Sequence, residues 1–175
     1  MRNTVLGFFL MGLACATACA EERSAGPVPP ALQVRTDQAA PAGVTELKFR
    51  DFFTLPIGPR GLAPSARLLS LVGQRVRVVG YMARQSEATA GIVIVAPLPV
   101  ALGDEDESFS DDLPASALYV HLTDADRHLG VPWMPGLLGF TGVLQLGAMS
   151  EADGRISFVR LLLDPELSQA LAAGR

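Results

Sequence analysis

The sequence predicts a mainly β protein, a small closed or partly open barrel of five strands with one or two short helices. Three observations predict this class. Short apolar stretches with β-type patterns and turn residues between them follow one another from residue 75 to residue 163. An irregular connection at 124–138, which holds two prolines, separates the first three stretches from the last two. Glycines in the fourth stretch permit the bulges and strong bending of a small barrel.

Each of the five strands has its own pattern. The first begins by alternating valine with arginine, and the second is β-branched on both faces, which predicts a central, buried strand. The third alternates apolar residues with Tyr119 and His121 and should be half-buried. Asp153 and Gly154 form a hairpin signal between the last two. The predicted strands are residues 75–82, 92–96, 118–122, 139–149 and 155–163.

Three strands, a connecting segment and a hairpin are the order of an OB-fold, so we expect an OB-like barrel. A β-sandwich is the structural alternative, but it needs about seven strands. Short helices are predicted at 65–72, with Ser65 as N-cap and Gly73 beyond the C-terminus, and again after Asp164. Residues 45–53 fit both a strand period and a helix period.

The first 20 residues predict a secretory signal. A basic start is followed by an uncharged run at 5–14 and by small residues, and the acids Glu21 and Glu22 make the run too short for a membrane span. Residues 16–19 resemble a bacterial lipobox with Cys19 as the lipid-modified residue. An ordinary cut after Ala20 is the alternative. Either cut leaves almost no thiol chemistry in the mature chain, so we expect neither a disulfide nor a cysteine-based zinc site.

The rest of the chain divides into a linker and one domain. Residues 21–43 hold four prolines among small and polar residues, which predicts a solvated tether, with an arm packed on the domain as the alternative. Residues 44–175 form the predicted barrel domain.

A family resemblance rests on residues 71–82, which read LVGQRVRVVGYM, and on the apolar strand that ends in Pro97 and Pro99. This pattern resembles small bacterial envelope lipoproteins with an OB-like barrel, over about residues 49–120. Members of that group often carry Cys and His residues after the second strand, where this chain has an acidic segment instead. The resemblance implies a periplasmic, lipid-anchored address and a barrel rather than an activity.

Charge argues against nucleic acid as a partner. The formal net charge is −4, and aromatic residues are too few for a base-stacking face. Six of the acids lie between residues 104 and 112, which we call the acidic segment; it begins with Asp104, Glu105, Asp106 and Glu107. The segment fails the EF-hand frame, because Phe109 stands where that loop needs glycine. We expect a solvated loop or a docking site for a basic partner.

A second cluster offers metal ligands. His121, Asp124, Asp126 and His128 place four such side chains within eight residues, although the spacing matches no metalloenzyme motif. The alternative is a set of solvent-facing polar residues at a strand end, with Asp124 capping the next turn. No nucleotide-binding or nucleophile-elbow motif is present in the sequence, and no cofactor is predicted.

Trp133, the sole tryptophan, is a candidate partner anchor if exposed and a plug for one barrel end if buried. The sequence therefore favours a non-catalytic accessory module that binds other envelope proteins, such as a transporter or assembly system. A periplasmic metal or small-ligand carrier using His121 and His128 is the alternative. An enzyme subunit completed by a partner chain is a third hypothesis.

Overall fold

The computed structural model describes residues 25–34, 40–59, 61–102 and 113–173. Within these ranges the protein is mainly β, with a six-stranded mixed sheet and two short α-helices. The strands are β1 (Thr45–Glu46), β2 (Arg75–Met82), β3 (Ile92–Ala96), β4 (Leu118–His121), β5 (Leu137–Ser150) and β6 (Ile156–Leu163). The helices are α1 (Ala66–Ser70) and α2 (Pro165–Ala173), and single 3-10 turns lie at Pro30–Leu32 and Phe49–Asp51.

The strand pairings form a ring. The sheet order is β1-β2-β3-β4-β6-β5, and β2 also pairs with β5. The β1–β2 and β4–β6 pairs are parallel, and all other pairs in the sheet are antiparallel. The paired residues of β2 and β3 are Tyr81–Ala96 and Met82–Val95, so this is the shortest pairing of the ring.

The predicted elements are present with small shifts at their ends. Ser65 caps α1, because its hydroxyl accepts a hydrogen bond from the Leu68 backbone N–H at 3.0 Å. Gly73 has a φ of +76°, as expected for a residue that ends a helical turn. Residues 45–53, which fit both a strand period and a helix period, contain a strand and a helical turn, since the short strand β1 precedes the 3-10 turn at Phe49–Asp51.

Segment 44–53 covers the part of β2 that β3 does not reach. The Leu47 N–H donates to the Arg77 carbonyl at 2.9 Å, and β1 pairs with the start of β2. Phe49 lies so close to Gly80 that a Cβ there would be 2.7 Å from the Phe49 ring. Phe52 is fully buried in the main core. This segment therefore places apolar side chains beside the short β2–β3 pairing.

The inward faces of the strands form one large core, which α2 completes through Leu167 and Leu171. A second, smaller cluster lies on the outer face of β3 and β4. There Ile94 and Tyr119 are covered by residues on both sides of the acidic segment, including Leu102. The acidic segment itself falls outside the described residues.

Glycines allow β5 to bend around the ring. Gly147 has a φ of +121° and lies within the register shift between Leu146 and Met149. At Gly142 the strands cross so closely that a Cβ would be 2.1 Å from the Leu162 carbonyl oxygen. Both positions need glycine, as the sequence suggested for this strand.

Residues 25–34, which lie within the predicted linker at 21–43, pack on the domain, as in the packed-arm alternative. Leu32 is fully buried in the main core, and Gln33 forms a β-bridge with Leu138. The Gly26 N–H donates to the Trp133 carbonyl at 2.8 Å. Apolar side chains between the prolines supply the burial, because the 3-10 turn directs Leu32 into the core. Residues 1–24, including Cys19, lie outside the described residues.

The start of α2 is tied to the start of β2. Arg75 donates to both carboxylate oxygens of Asp164, with its Nη2 2.6 Å from Oδ2. This hydrogen bonding, together with the carboxylate charge, raises the pKa of Arg75 above its ordinary value. Arg75 therefore carries its charge at neutral pH. In the described part of the chain, no helix is long and apolar enough to cross a membrane.

Candidate functional site

His121 meets a buried carboxylate that the sequence did not associate with it. His121 Nε2 lies 3.2 Å from Glu151 Oε1, and the Glu151 side chain is only 2% exposed. The same oxygen accepts a short hydrogen bond from the hydroxyl of Ser157. The three side chains join β4, the end of β5 and the start of β6 into one network, which we call the Glu151 network.

The Glu151 network has the residue types of a hydrolase triad but not the arrangement. In a triad the histidine takes the proton of the serine, whereas here both Ser157 and His121 contact the carboxylate. Ser157 is also fully buried, so no substrate reaches its hydroxyl. The arrangement supports a structural role, in which a buried carboxylate is satisfied by two polar neighbours.

Arg160, three residues after Ser157 on β6, extends the Glu151 network. Its Nη1 donates to the Ser157 hydroxyl at 3.1 Å and to the Gly147 carbonyl at 2.5 Å. The second contact satisfies a carbonyl at the bulge of β5. Arg160 is buried, and its Nε has no hydrogen-bond partner. Its charge therefore stabilises the bend of the β5–β6 hairpin rather than facing solvent.

The other predicted metal ligands point to separate partners. Asp126 Oδ2 accepts hydrogen bonds from the Thr123 hydroxyl at 2.9 Å and from the Ser168 hydroxyl at 2.6 Å, which ties the turn after β4 to α2. Asp124 is fully exposed, with Arg127 at 3.9 Å. His128 is also exposed. Among the described residues, no three His, Cys, Asp or Glu side chains form a group that could hold a metal ion.

Trp133 is partly buried against the main core at the ends of β2 and β3. Its indole N–H donates to the Met82 carbonyl at 3.0 Å, and Met82 pairs with Val95. The Arg84 guanidinium lies 5.4 Å from the centre of the indole ring, within the range of a cation–π contact. Trp133 is thus packed at this end of the ring with an exposed arginine over its indole.

The described residues on both sides of the acidic segment lie near Trp133. The Arg84 N–H donates to the Val100 carbonyl at 2.9 Å, and the Leu102 N–H donates to the Arg84 carbonyl at 2.8 Å. Leu113, the first described residue after the segment, packs on the same outer cluster. The structure therefore brings the flanks of the acidic segment and Trp133 to one end of the ring. We call this surface the Trp133 end: Arg84, Trp133, Leu137 and the flanks of the acidic segment.

Sequence reasoning missed Glu151 and Arg84. Glu151 lies between the last two predicted strands, and nothing local pairs it with a histidine 30 residues earlier in the chain. Arg84 follows a strand without forming any motif. An available signal was that each is a charged residue two positions after the end of a predicted strand, where side chains meet at the end of a sheet. Comparison with protein-family models, with curated proteins and with solved structures found no match to this chain.

Proposed function

We propose that the protein is an exported, lipid-anchored component of the bacterial envelope that binds other envelope proteins without catalysing a reaction. The signal-like residues 1–20 and the lipobox-like residues before Cys19 support the address. The anchored chain faces the periplasm. A lipid on Cys19 attaches the domain to a membrane without spanning it.

We further propose that the ring is an OB-like barrel. Counting only β2 to β6, the pairing order is first, second, third, fifth, fourth and back to first, with the third and fifth strands parallel. This order supports a five-stranded Greek-key barrel, which leaves a partly open seam. The seam is here the short pairing of β2 with β3.

The observation that carries the binding proposal is the convergence at Arg84. Its backbone holds Val100 and Leu102, just before the acidic segment, and its guanidinium lies over Trp133. A segment rich in carboxylates whose described flanks lie near an amphipathic aromatic ring suits a basic protein surface that carries an apolar anchor. Asp104, Glu105, Asp106 and Glu107 supply the charge, and Trp133 supplies the apolar contact. Such a partner belongs to a transporter or an assembly system of the envelope.

The proposal that the protein catalyses no reaction is supported by hydrogen bonds within the domain that already engage the candidate polar side chains. Ser157 and His121 both contact Glu151, and Asp126 is committed to Thr123 and Ser168. No observation favours the metal-carrier alternative over this one. Turnover that survives purification and disappears in His121→Ala or His128→Ala would overturn the proposal.

The anchor is tested by growing cells that express the tagged full chain with a labelled lipid precursor. We expect label on the protein and none on the Cys19→Ala variant. Equal labelling of both chains, or of neither, would contradict lipid anchoring and leave the cut after Ala20 as the form of the mature protein.

The binding surface is tested by chemical cross-linking in intact cells of the host. We expect a discrete adduct that is lost when Asp104, Glu105, Asp106 and Glu107 are all changed to their amides. A matched variant, Asp124→Asn, removes a fully exposed carboxylate elsewhere and should keep the adduct. An adduct that is insensitive to the fourfold change would contradict docking through the acidic segment.

A further inference from the structure

The chain between β1 and α1 builds a hairpin-like loop, which we call the apolar loop (residues 53–59 and 61–64). Phe53 and Pro64 form a β-bridge at its base, and the Thr54 N–H donates to the Ala63 carbonyl at 2.9 Å. At the tip, the Gly61 N–H donates to the Gly58 carbonyl at 3.0 Å. Backbone hydrogen bonds therefore hold the loop in one shape.

The base of the apolar loop is fixed to the domain. Phe52, the residue before it, is fully buried, and its carbonyl accepts a hydrogen bond from the Ser65 N–H at 3.0 Å. The Ser65 hydroxyl also donates to the Asp51 carbonyl. The ring centre of Phe53 lies 6.3 Å from that of Phe158 on β6. The apolar loop thus extends from a base that is fixed to the domain.

Large apolar side chains of this loop face solvent. Leu55 is 72% exposed and Ile57 is 62% exposed. Further exposed apolar side chains follow on the loop and around α1, namely Leu62, Leu69 and Val72. An isolated exposed leucine is ordinary, but several exposed apolar side chains on one hydrogen-bonded loop mark an interaction site.

The surroundings of the apolar loop are basic, in contrast to the rest of the domain. Residues 44–77 carry six basic and two acidic side chains, whereas residues 78–175 carry five basic and 13 acidic ones. Lys48, Arg50 and Arg67 are exposed near the base of the loop. Two acids lie among them: Asp51, 3.9 Å from Arg50 and 3.8 Å from Arg67, and the exposed Glu46, whose carbonyl accepts a hydrogen bond from Arg67 Nη2 at 2.9 Å. The surface is therefore apolar at its tip and positive at its base.

We propose that the apolar loop docks on the surface of an anionic lipid bilayer. Leu55 and Ile57 enter the boundary between headgroups and acyl chains, and Lys48, Arg50 and Arg67 contact the anionic headgroups. A bilayer supplies both negative charge and an apolar phase, as this surface requires. The acidic segment of a second copy supplies negative charge but only Phe109 as a large apolar residue, so it does not cover the exposed side chains.

The contact would add a second membrane attachment, made by the folded domain itself, to a chain with a lipid at its N-terminus. It does not depend on that lipid, because all residues involved belong to the folded domain. The experiment therefore uses the chain from Glu21 onward, which contains every described residue and lacks both the signal and Cys19. A failure of this docking is then separate from a failure of the anchor.

Vesicle co-sedimentation tests the proposal, with phosphatidylcholine vesicles that either contain or lack phosphatidylglycerol. We expect the native chain to bind the anionic vesicles more tightly, and added salt to weaken that binding. Lys48→Gln combined with Arg50→Gln should weaken binding to the anionic vesicles about 30-fold, the loss expected for two basic side chains. Leu55→Ser combined with Ile57→Ser should weaken it by about tenfold or more, because both side chains leave an apolar phase.

Matched controls use the same residue types elsewhere on the domain. Leu98, 70% exposed, and Arg127, with a 75% exposed side chain, lie outside this surface, so Leu98→Ser and Arg127→Gln should bind as the native chain does. Thermal unfolding checks that each variant is folded. The proposal is overturned if the native chain binds neither kind of vesicle, if both kinds bind equally, or if the controls lose as much as the loop variants. Sedimentation velocity is measured without lipid. A native chain that is dimeric there, with loop variants that are monomeric, would also contradict the proposal.

Discussion

Replacing Glu151 by leucine removes the acceptor that His121 and Ser157 share. The change keeps most of the side-chain volume but leaves the Ser157 hydroxyl without its acceptor in a fully buried site. The His121 ring, with 24% of its side chain exposed, can turn to water instead. Losing the contact to Glu151 should therefore cost more at Ser157 than at His121.

The magnitude follows from that difference. The Ser157 oxygen still accepts from Arg160 Nη1, but its O–H becomes a buried donor without an acceptor, which costs about 1–3 kcal/mol. A hydrogen bond whose partner can reach water costs about 0.5–1.5 kcal/mol. We expect Glu151→Leu to lower the free energy of unfolding by about 2–4 kcal/mol. Glu151→Gln keeps an acceptor oxygen in place, so its loss should be less than half of that.

Urea unfolding, followed by circular dichroism, measures both variants. The transition midpoint should fall in the order native, Glu151→Gln, Glu151→Leu, with an unchanged dependence on urea because the surface exposed on unfolding is the same. Ser157→Ala in the Glu151→Leu background should add little, since the hydroxyl has already lost its acceptor. Native-like stability of Glu151→Leu would refute the structural role of the network, and full additivity with Ser157→Ala would refute their coupling.

Three further predictions concern the core, the ring and the Trp133 end, and urea unfolding checks each. Leu32→Ala should cost about 2–5 kcal/mol, because the side chain is fully buried; a loss below about 0.5 kcal/mol would show that residues 25–34 do not pack. Gly142→Ala should destabilise severely, since its Cβ meets a backbone carbonyl of β6, whereas Gly58→Ala meets no atom within 4 Å and should be near neutral. Equal effects would contradict the close crossing. Trp133→Phe should cost about 1–2 kcal/mol through the lost hydrogen bond to Met82 and a weaker cation–π contact, and no change would contradict both.

The strands were predictable because their signals are local. Alternation at 75–82, β-branched residues at 92–96 and the turn at Asp153–Gly154 each act within a few residues, and the structure has strands at these places. The packing of residues 25–34 was not predictable as the first choice. Prolines dominate their composition, whereas the burial of Leu32 depends on a pocket made by distant residues of the core.

The candidate sites show the same difference between local signals, which the sequence contains, and contacts with distant residues, which it does not. Sequence reasoning found His121 and Trp133 by residue type, but it could not supply their partners, because Glu151 and Arg84 lie about 30 and 50 residues away in the chain. The closeness of Asp124 and Asp126 in sequence suggested convergence. In the structure Asp126 bonds inside the domain while Asp124 faces solvent, because neighbouring residues of a turn point in different directions.

Site-specific photo-cross-linking in intact cells tests most directly whether the Trp133 end is a docking surface. A photoreactive benzoylphenylalanine replaces Leu137, which is 43% exposed and pairs with Tyr81 beside this end. In a second chain it replaces His128, exposed on the turn after β4. We predict a discrete protein adduct from position 137, none from position 128, and loss of the adduct when the acids at 104–107 are neutralised. Adducts of equal yield from both positions, or none from position 137, would contradict the account.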